Sequence, residues 1–299
     1  MRYTWALTIS RMRLAMRNRL FFFFSLFVPI VFLFMYMGIF GRGNAQRGAY
    51  LLPMVMALTV MGTFIGLSVQ LVTFREQGIL RRFRVTPVSP TAMLASSLLS
   101  NYFLTLPTIA VEFLLAIRLF HMAGIVNAGS LLSAFVLITL GTITFASLGL
   151  IVASATNTMK ETQIINQMIW FVFLGLSGAT IPFPYLPRAI QWIAVFLPAT
   201  YLVSGLQRTM IDHATVLDLG AYMGSLLGCG LIAFLIAAQL FRWDPETKAP
   251  RRAKLWAASA IIPFLLLGAA ELHNGDLQRH AVNNFNSIRE PYSMEKASH

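Results

Sequence analysis

Residues 74–90 read FREQGILRRFRVTPVSP, a short basic segment between two long apolar runs, 50–73 before it and 93–117 after it. Four arginines (Arg75, Arg81, Arg82, Arg84) and one acid, Glu76, fall within its first eleven residues. Ile79, Leu80 and Phe83 recur at helical spacing, enough for one apolar stripe on a two-turn helix. Thr86-Pro87 and Ser89-Pro90 then end that helix, because proline disfavours helical geometry in the residue before it. The segment is a helical knuckle joining two apolar helices. Such a piece can transmit force or recognise a partner at a membrane surface.

The composition sets that knuckle in a membrane. The chain is 57% hydrophobic and 11% charged, with 24 phenylalanines and a mean hydropathy of +0.69. Soluble proteins carry about 25% charged residues. The net charge of +12 does not point to nucleic acid. Its cations sit in short clusters between apolar runs, as membrane-flanking charges do, and form no continuous basic face. The lone Cys229 lies inside an apolar run, so one chain can form neither a disulfide framework nor a thiolate metal cluster.

Outward from the knuckle, the pattern predicts an all-α polytopic membrane protein in the lipid bilayer. Residues 1–19 hold five arginines and no acid, with Trp5, Ile9, Met12 and Met16 on one helical face. That is an amphipathic helix for the cytoplasmic interface. Spans are expected at 20–40, 50–73, 93–117, 131–155, 163–181 and 219–241. Each is long enough for a core of about 30 Å. The first is too long and lacks the small-residue cleavage site of a signal peptide. The fourth is rich in glycine, serine and threonine, which suits close helix packing.

Between the fifth and sixth spans, prolines 182, 184, 187 and 198 break the apolar sequence into two short pieces. Neither piece reaches bilayer length, so both are expected to dip into one leaflet, with Tyr185, Trp192 and Tyr201 near the headgroups. Six spans with the N-terminus inside put 15 Lys and Arg residues in the cytoplasm and five in the outer loops. The positive-inside rule therefore places the knuckle in the cytoplasm and the proline-rich segment outside.

These features resemble the permease subunits of type-2 ABC (ATP-binding-cassette) exporters, over residues 1–243. The knuckle is similar to that family's pattern of an acid, a glycine, a leucine, basic residues and a Thr-Pro turn. The prolines and aromatics of 181–206 are similar to its outer re-entrant helices. The resemblance implies that the knuckle is a coupling helix seated in a groove of a separate ATPase subunit, through Arg75, Glu76, Gly78, Leu80, Arg81, Arg82, Phe83, Thr86 and Pro87. It implies that Pro182, Pro187, Trp192, Pro198 and Tyr201 border the outer part of the path. The implied unit holds two copies of the chain in the bacterial cytoplasmic membrane, exporting a drug-like, lipid or other amphiphilic substrate. A polysaccharide exporter of the same family is the alternative, and a secondary transporter or channel outside it is another.

The residues bear on the energy source independently. None of the four lysines (160, 248, 254, 296) follows a glycine, so no G-x-x-x-x-G-K-[ST] phosphate loop exists in the sequence. The chain is expected to be no enzyme and to bind no cofactor, with ATP and Mg held by the partner. An amphipathic helix in a groove is a common docking mode for such a partner. A secondary transporter would show several mid-membrane ionisable groups, and an intramembrane enzyme a cluster of His, Asp or Glu. Glu112 is the only carboxylate inside an apolar run, and counting from the cytoplasmic side places it near the outer interface, snorkelling or paired with Arg118. Gln70, Asn101, Asn166 and Gln167 could line a path or bond between helices.

The remaining 244–299 form a C-terminal extension with one further apolar segment, 255–270. Five cations precede that segment, whereas three cations and four acids follow its end. That asymmetry predicts a seventh span running outward, although 16 residues rise only about 24 Å as a helix.

Overall fold

The fourth apolar run folds as the centre of the molecule because its small residues let other backbones approach. A Cβ on Gly149 would lie 2.3 Å from the Phe64 carbonyl oxygen, and one on Gly230 would lie 3.1 Å from the Thr144 Cα. Three helices meet there almost backbone to backbone: α3 (Ala45–Glu76), α6 (Ala128–Ala155) and α10 (Gly220–Leu240). Thr144 fixes the α6–α10 pair by donating to the Leu226 carbonyl at 2.7 Å. Val60 against Gly141 and Arg75 against Ala153 show that α3 and α6 run in the same direction. Thr144 with Leu226, and Arg242 with Ser154, show the same for α10.

The computed structural model describes residues 2–17, 19–41, 45–83, 88–119, 127–243, 262–275, 277 and 279–285. Among these the chain is helical with no strand. Antiparallel to the central three run α5 (Pro90–Leu119), tied by Asn101 Nδ2 to the Thr63 carbonyl, and α7 (Met159–Leu176), tied by Asn166 Nδ2 to Ser68 Oγ at 2.6 Å. α2 (Arg19–Tyr36) continues into a π turn, Met37–Gly41, and packs on α3. α1 (Arg2–Arg17) lies along the start of α5 and turns Thr8 and Arg11 towards it. Trp5 and Met16, on the row expected to be its apolar face, stay more than half exposed.

Four helices are long and apolar enough to cross a membrane: Gln46–Glu76, Pro90–Leu119, Ala128–Ala155 and Gly220–Leu240. The runs expected as spans one and five fold as helices of 18 residues each, α2 and α7. At 1.5 Å per residue each rises about 27 Å. α7 ends earlier than 181 because Gly178 takes the left-handed conformation, φ +84°.

After α7 come a 3₁₀ turn (Phe183–Tyr185), α8 (Arg188–Ala194) and α9 (Pro198–Ile211). α8 and α9 are bent by 95° across their short break. Thr200 Oγ1 closes that corner by donating to the Ala194 carbonyl at 2.7 Å. Proline N-caps α8 at 187 and opens α9 at 198, where a missing N–H costs nothing. The segment begins beside Tyr36, whose hydroxyl approaches the Ala179 and Thr180 carbonyls, and ends beside the start of α6, where His213 Nδ1 lies 3.3 Å from Ser130 Oγ. Between those points α9 reaches the middle of α6, with Leu202 against Gly141. Both ends of the segment therefore lie at one end of the bundle, called here the far end. The opposite, knuckle end is where Arg75 and Arg242 meet Thr156.

The tail also leaves the knuckle end. α11 (Ile262–Asn274) packs on α10, and Gly268 lets it approach the Phe196 ring. Leu277, Ala281 and Phe285 are buried, the last between Tyr50 and Tyr185 at the far end. Arg242 and Phe285 thus lie at opposite ends of the bundle. The first seven residues of the apolar segment 255–270 fall outside the described residues.

Candidate functional site

The knuckle begins where α3 must stop. Gln77 and Gly78 close its last turn, their N–H groups donating to the Thr73 and Arg75 carbonyls at 3.0 Å. Gly78 sits at φ +68°, a left-handed C-cap that only glycine adopts without cost. The chain then turns into α4 (Ile79–Phe83). Leu80 is fully buried in a cluster with Leu67, Leu71, Val72, Met93 and Leu94, and Phe83 packs partly against it. Arg81 and Arg82 face outwards. Leu80, expected on a docking face, instead anchors the helix; at five residues α4 has one apolar side, and the helix ends of α3 and α5 take it.

Arg75 does not face outwards either. It is 2% exposed, and its guanidinium donates to the Ala153 carbonyl at 2.8 Å and the Thr156 carbonyl at 2.7 Å. Those carbonyls close α6, where a helix leaves acceptors unpaired and carries partial negative charge. Arg242 serves the same end, donating to the Ser154 and Thr156 carbonyls and to Asn157 Oδ1. Burial lowers the Arg242 pKa from the usual guanidinium range, and Glu161 opposes that shift. Glu76 is exposed, yet its Oε1 accepts from the Met159 N–H at 2.7 Å, the first residue of α7. A carboxylate there complements the positive end of the helix. Thr158 caps α7 by accepting from the Glu161 N–H, and Glu161 Oε2 reaches back to the Asn157 N–H at 2.8 Å. That is a near capping box.

α1 joins the same assembly. Arg11, 7% exposed, donates to Ser97 Oγ and lies over the Phe74 ring at 5.5 Å. Burial lowers its pKa to about 10, so it stays charged at neutral pH. The site is therefore a rigid plate: the ends of α3, α6, α7 and α10 bonded together, carrying a short exposed arginine edge. Thr86 and Pro87 lie outside the described residues.

The residues expected on the outer path divide. Trp192 and Tyr185 are about 60% exposed, and Pro187 is exposed. Pro182 lines a far-end cavity of about 480 Å³ with Tyr36, Phe40, Tyr50, Tyr185 and Phe285. Pro198 and Tyr201 are buried; Tyr201 packs edge-on against Tyr222 at 6.0 Å instead of turning outwards as Trp192 does. α9 is inserted among α3, α6 and α10, so its first turns have no outward face. Phe285, in the tail, had no sequence signal that could assign it to this cavity.

A larger cavity, about 800 Å³, opens between α2, α3, α5 and α7. Asn101 lines it, whereas Asn166 is buried against Ser68 and Gln167 is exposed on α7. Glu112 departs from its expected place: fully buried, its Oε1 accepts from Thr59 Oγ1, near the middle of α3. Arg118 is exposed two turns on and makes no ion pair with it. Counting along one helix gave no sign that α3 would cover Glu112, as it does at Thr59.

Among the described residues no group of His, Cys, Asp and Glu could hold a metal ion. The comparisons with known proteins agree with one another. A sequence model described as ABC-2 family transporter protein matches residues 43–238. The linearmycin resistance permease protein LnrN of Bacillus subtilis (strain 168) is 25% identical over 185 residues, 62% of this chain and 47% of that protein. The putative transport permease YvfS of the same organism is 25% identical over 202 residues, 66% of this chain and 81% of that protein. Nodulation protein J of Rhizobium leguminosarum bv. viciae is 29% identical over 121 residues, 40% of this chain and 46% of that protein. The chain thus spans about half the length of two of these relatives. The family model ends at residue 238, before the tail. With four helices of spanning length and two thirds of its sequence within that model, the chain is a multi-pass membrane protein and belongs to the ABC-2 transporter family.

Proposed function

We propose that this chain is the transmembrane subunit of an ATP-driven exporter in a bacterial cytoplasmic membrane, with its N-terminus and knuckle in the cytoplasm. A separate ATP-binding-cassette subunit holds ATP and Mg and docks on the knuckle, and a second copy of the chain completes the membrane part. The observation that carries this reading is the clamp at the root of the knuckle: Arg75 and Glu76, at the end of α3, bond it to the ends of α6 and α7, while Arg81 and Arg82 on α4 are exposed. A loop obeying charge bias alone would need no such fixing. A loop that receives force would.

The cation count supports the orientation. The far-end start and finish of 177–219, with the 95° bend, support a re-entrant pair and six spans for residues 1–243. The opposite positions of Arg242 and Phe285 support a seventh crossing by the tail. The names of LnrN, a linearmycin resistance permease, and of YbhS, a probable multidrug ABC transporter permease of Escherichia coli (strain K12), support an amphiphilic or drug-like substrate over a polysaccharide. Co-expression with an ABC ATPase from the same genome tests the core of this. Pull-down of the ATPase, with loss of at least tenfold in the Arg81→Glu/Arg82→Glu variant, is expected. Membrane extracts in which no ATPase accompanies the wild-type chain would overturn it. Mass measurement of the active complex should show two copies. Cysteines placed at Gln191 and after the last residue of the tail should be labelled from outside only.

A further inference from the structure

One helix carries a polar row that the coupling reading does not use. Asn101, Thr105, Thr108 and Glu112 follow along α5 at spacings of four, three and four, which is one helical face. Opposite them on α3 stand Thr59 and Thr63, with Gly62 and Gly66 between and beyond. The two rows touch at both ends: Asn101 Nδ2 donates to the Thr63 carbonyl at 3.2 Å, and Thr59 Oγ1 donates to Glu112 Oε1. Every member except Glu112 lines the cavity of about 800 Å³.

The other walls of that cavity are mainly apolar, among them Val28, Phe32, Leu58 and Trp170, and among the described residues no lysine, arginine or histidine lines it. Glu112 closes the row behind Thr59. It is fully buried, and its Oε2 makes no hydrogen bond. A carboxyl oxygen so placed in a membrane helix is costly and is satisfied by a cation or a donor. Ordinary packing would be served as well by a glutamine or a leucine. Drug-sized ligands occupy cavities of roughly 300–1,000 Å³ with apolar walls and a few fixed polar groups. The described lining carries no positive charge, and its one nearby ionisable group is an acid.

We propose that the seam between α3 and α5 binds a lipophilic cation. The apolar wall, which includes the aromatic Trp170 and Phe32, takes its hydrocarbon or aromatic body, and the Glu112 carboxyl, reached by displacing the Thr59 hydroxyl, is the counter-charge. This names a substrate class and rests on reading the cavity as part of the export path; the binding itself needs only this chain.

The full-length chain in lipid nanodiscs, without its ATPase, is titrated with radiolabelled tetraphenylphosphonium, using tetraphenylborate as an anion of the same shape. Saturable binding of the cation is expected, with a Kd raised about tenfold or more in Glu112→Gln and changed by less than about threefold in Glu112→Asp. Tetraphenylborate should not compete. Equal Kd values for wild type and Glu112→Gln, equal competition by the borate, or no saturable binding by the wild type would each overturn the proposal. Glu112→Gln keeps the volume and removes only the charge, so melting temperatures of the variants report folding separately. ATPase pull-down on the same preparations separates the two readings. Intact pull-down with charge-blind binding sinks the cation site alone. Failed pull-down with Glu112-dependent binding sinks the exporter and leaves the site.

Discussion

At the knuckle end, the buried guanidinium of Arg75, the half-buried one of Arg242 and the carboxylates of Glu76 and Glu161 bond backbone groups where α6 stops and α7 starts. At the far end several of the joints are rings. Phe285 lies edge-on to Tyr50 at 6.1 Å and to Tyr185 at 4.8 Å, and Tyr36 reaches the Ala179 and Thr180 carbonyls only at 3.5 and 3.4 Å. Charge-assisted bonds have one good geometry, whereas aromatic contacts slide over several at little cost. The difference separates an end that holds its shape from one that can rearrange.

The largest expected break is Leu80→Asp, which puts a carboxylate among Leu71, Val72 and Met93. A loss of about 4 kcal/mol is expected, seen as a fall in melting temperature before any partner is added. A stable variant would mean that Leu80 leaves the core. Arg75→Ala comes next, because it leaves the Ala153 and Thr156 carbonyls short of a donor in a buried joint. About 3 kcal/mol is expected, with ATPase assembly lost in parallel; a smaller loss than in the far-end variant below would reverse the comparison.

How far was this legible from the residues alone? The knuckle was, because its signals are local: clustered arginines, a glycine at the turn and prolines beyond it. Its polarity was not. Periodicity marked Leu80 as apolar but could not say that α3 and α5 would cover it, and Arg75 takes its meaning from carbonyls some 80 positions later. The seven runs were recognised as apolar, while Glu112 and Tyr201 were misplaced because their burial depends on α3 covering α5 and on α9 inserting between neighbours. No local pattern could have sent Phe285 to Tyr185.

Two smaller effects sharpen the contrast. Tyr185→Ala removes an exposed ring and one edge-on contact, so about 1 kcal/mol is expected. Closer to the larger figures, it would show that the far end is as firmly set as the knuckle. Arg81→Glu with Arg82→Glu should shift stability by less than about 0.5 kcal/mol while weakening ATPase pull-down, since both face out. Equal loss of stability and pull-down would make them anchors.

The smallest effect is a pH dependence in the far-end loop. The Thr215 hydroxyl and N–H hold the Asp218 carboxylate below the usual aspartate range through bonds of 2.7 and 2.8 Å. A depressed folded-state pKa contributes stability above the unfolded value, near pH 4, and loses it as pH falls through the folded one. Thr215→Val should therefore lower the melting temperature slightly at pH 7, with the gap to wild type closing towards pH 3. A gap independent of pH would assign the effect to packing.

The double grip of Arg75 and Arg242 on the end of α6 has a mechanical consequence. With its last carbonyls bonded by Arg75 at the end of α3 and by Arg242 just past α10, the end of α6 is held against fraying, so a push there is carried along it as along a stiff rod. Its 28 residues make that rod about 42 Å long. Leu202 rests on it at Gly141, roughly 20 Å from the gripped end. A tilt of about five degrees about that end would carry the α9 contact sideways by nearly 2 Å, enough to unseat a side chain from a glycine notch.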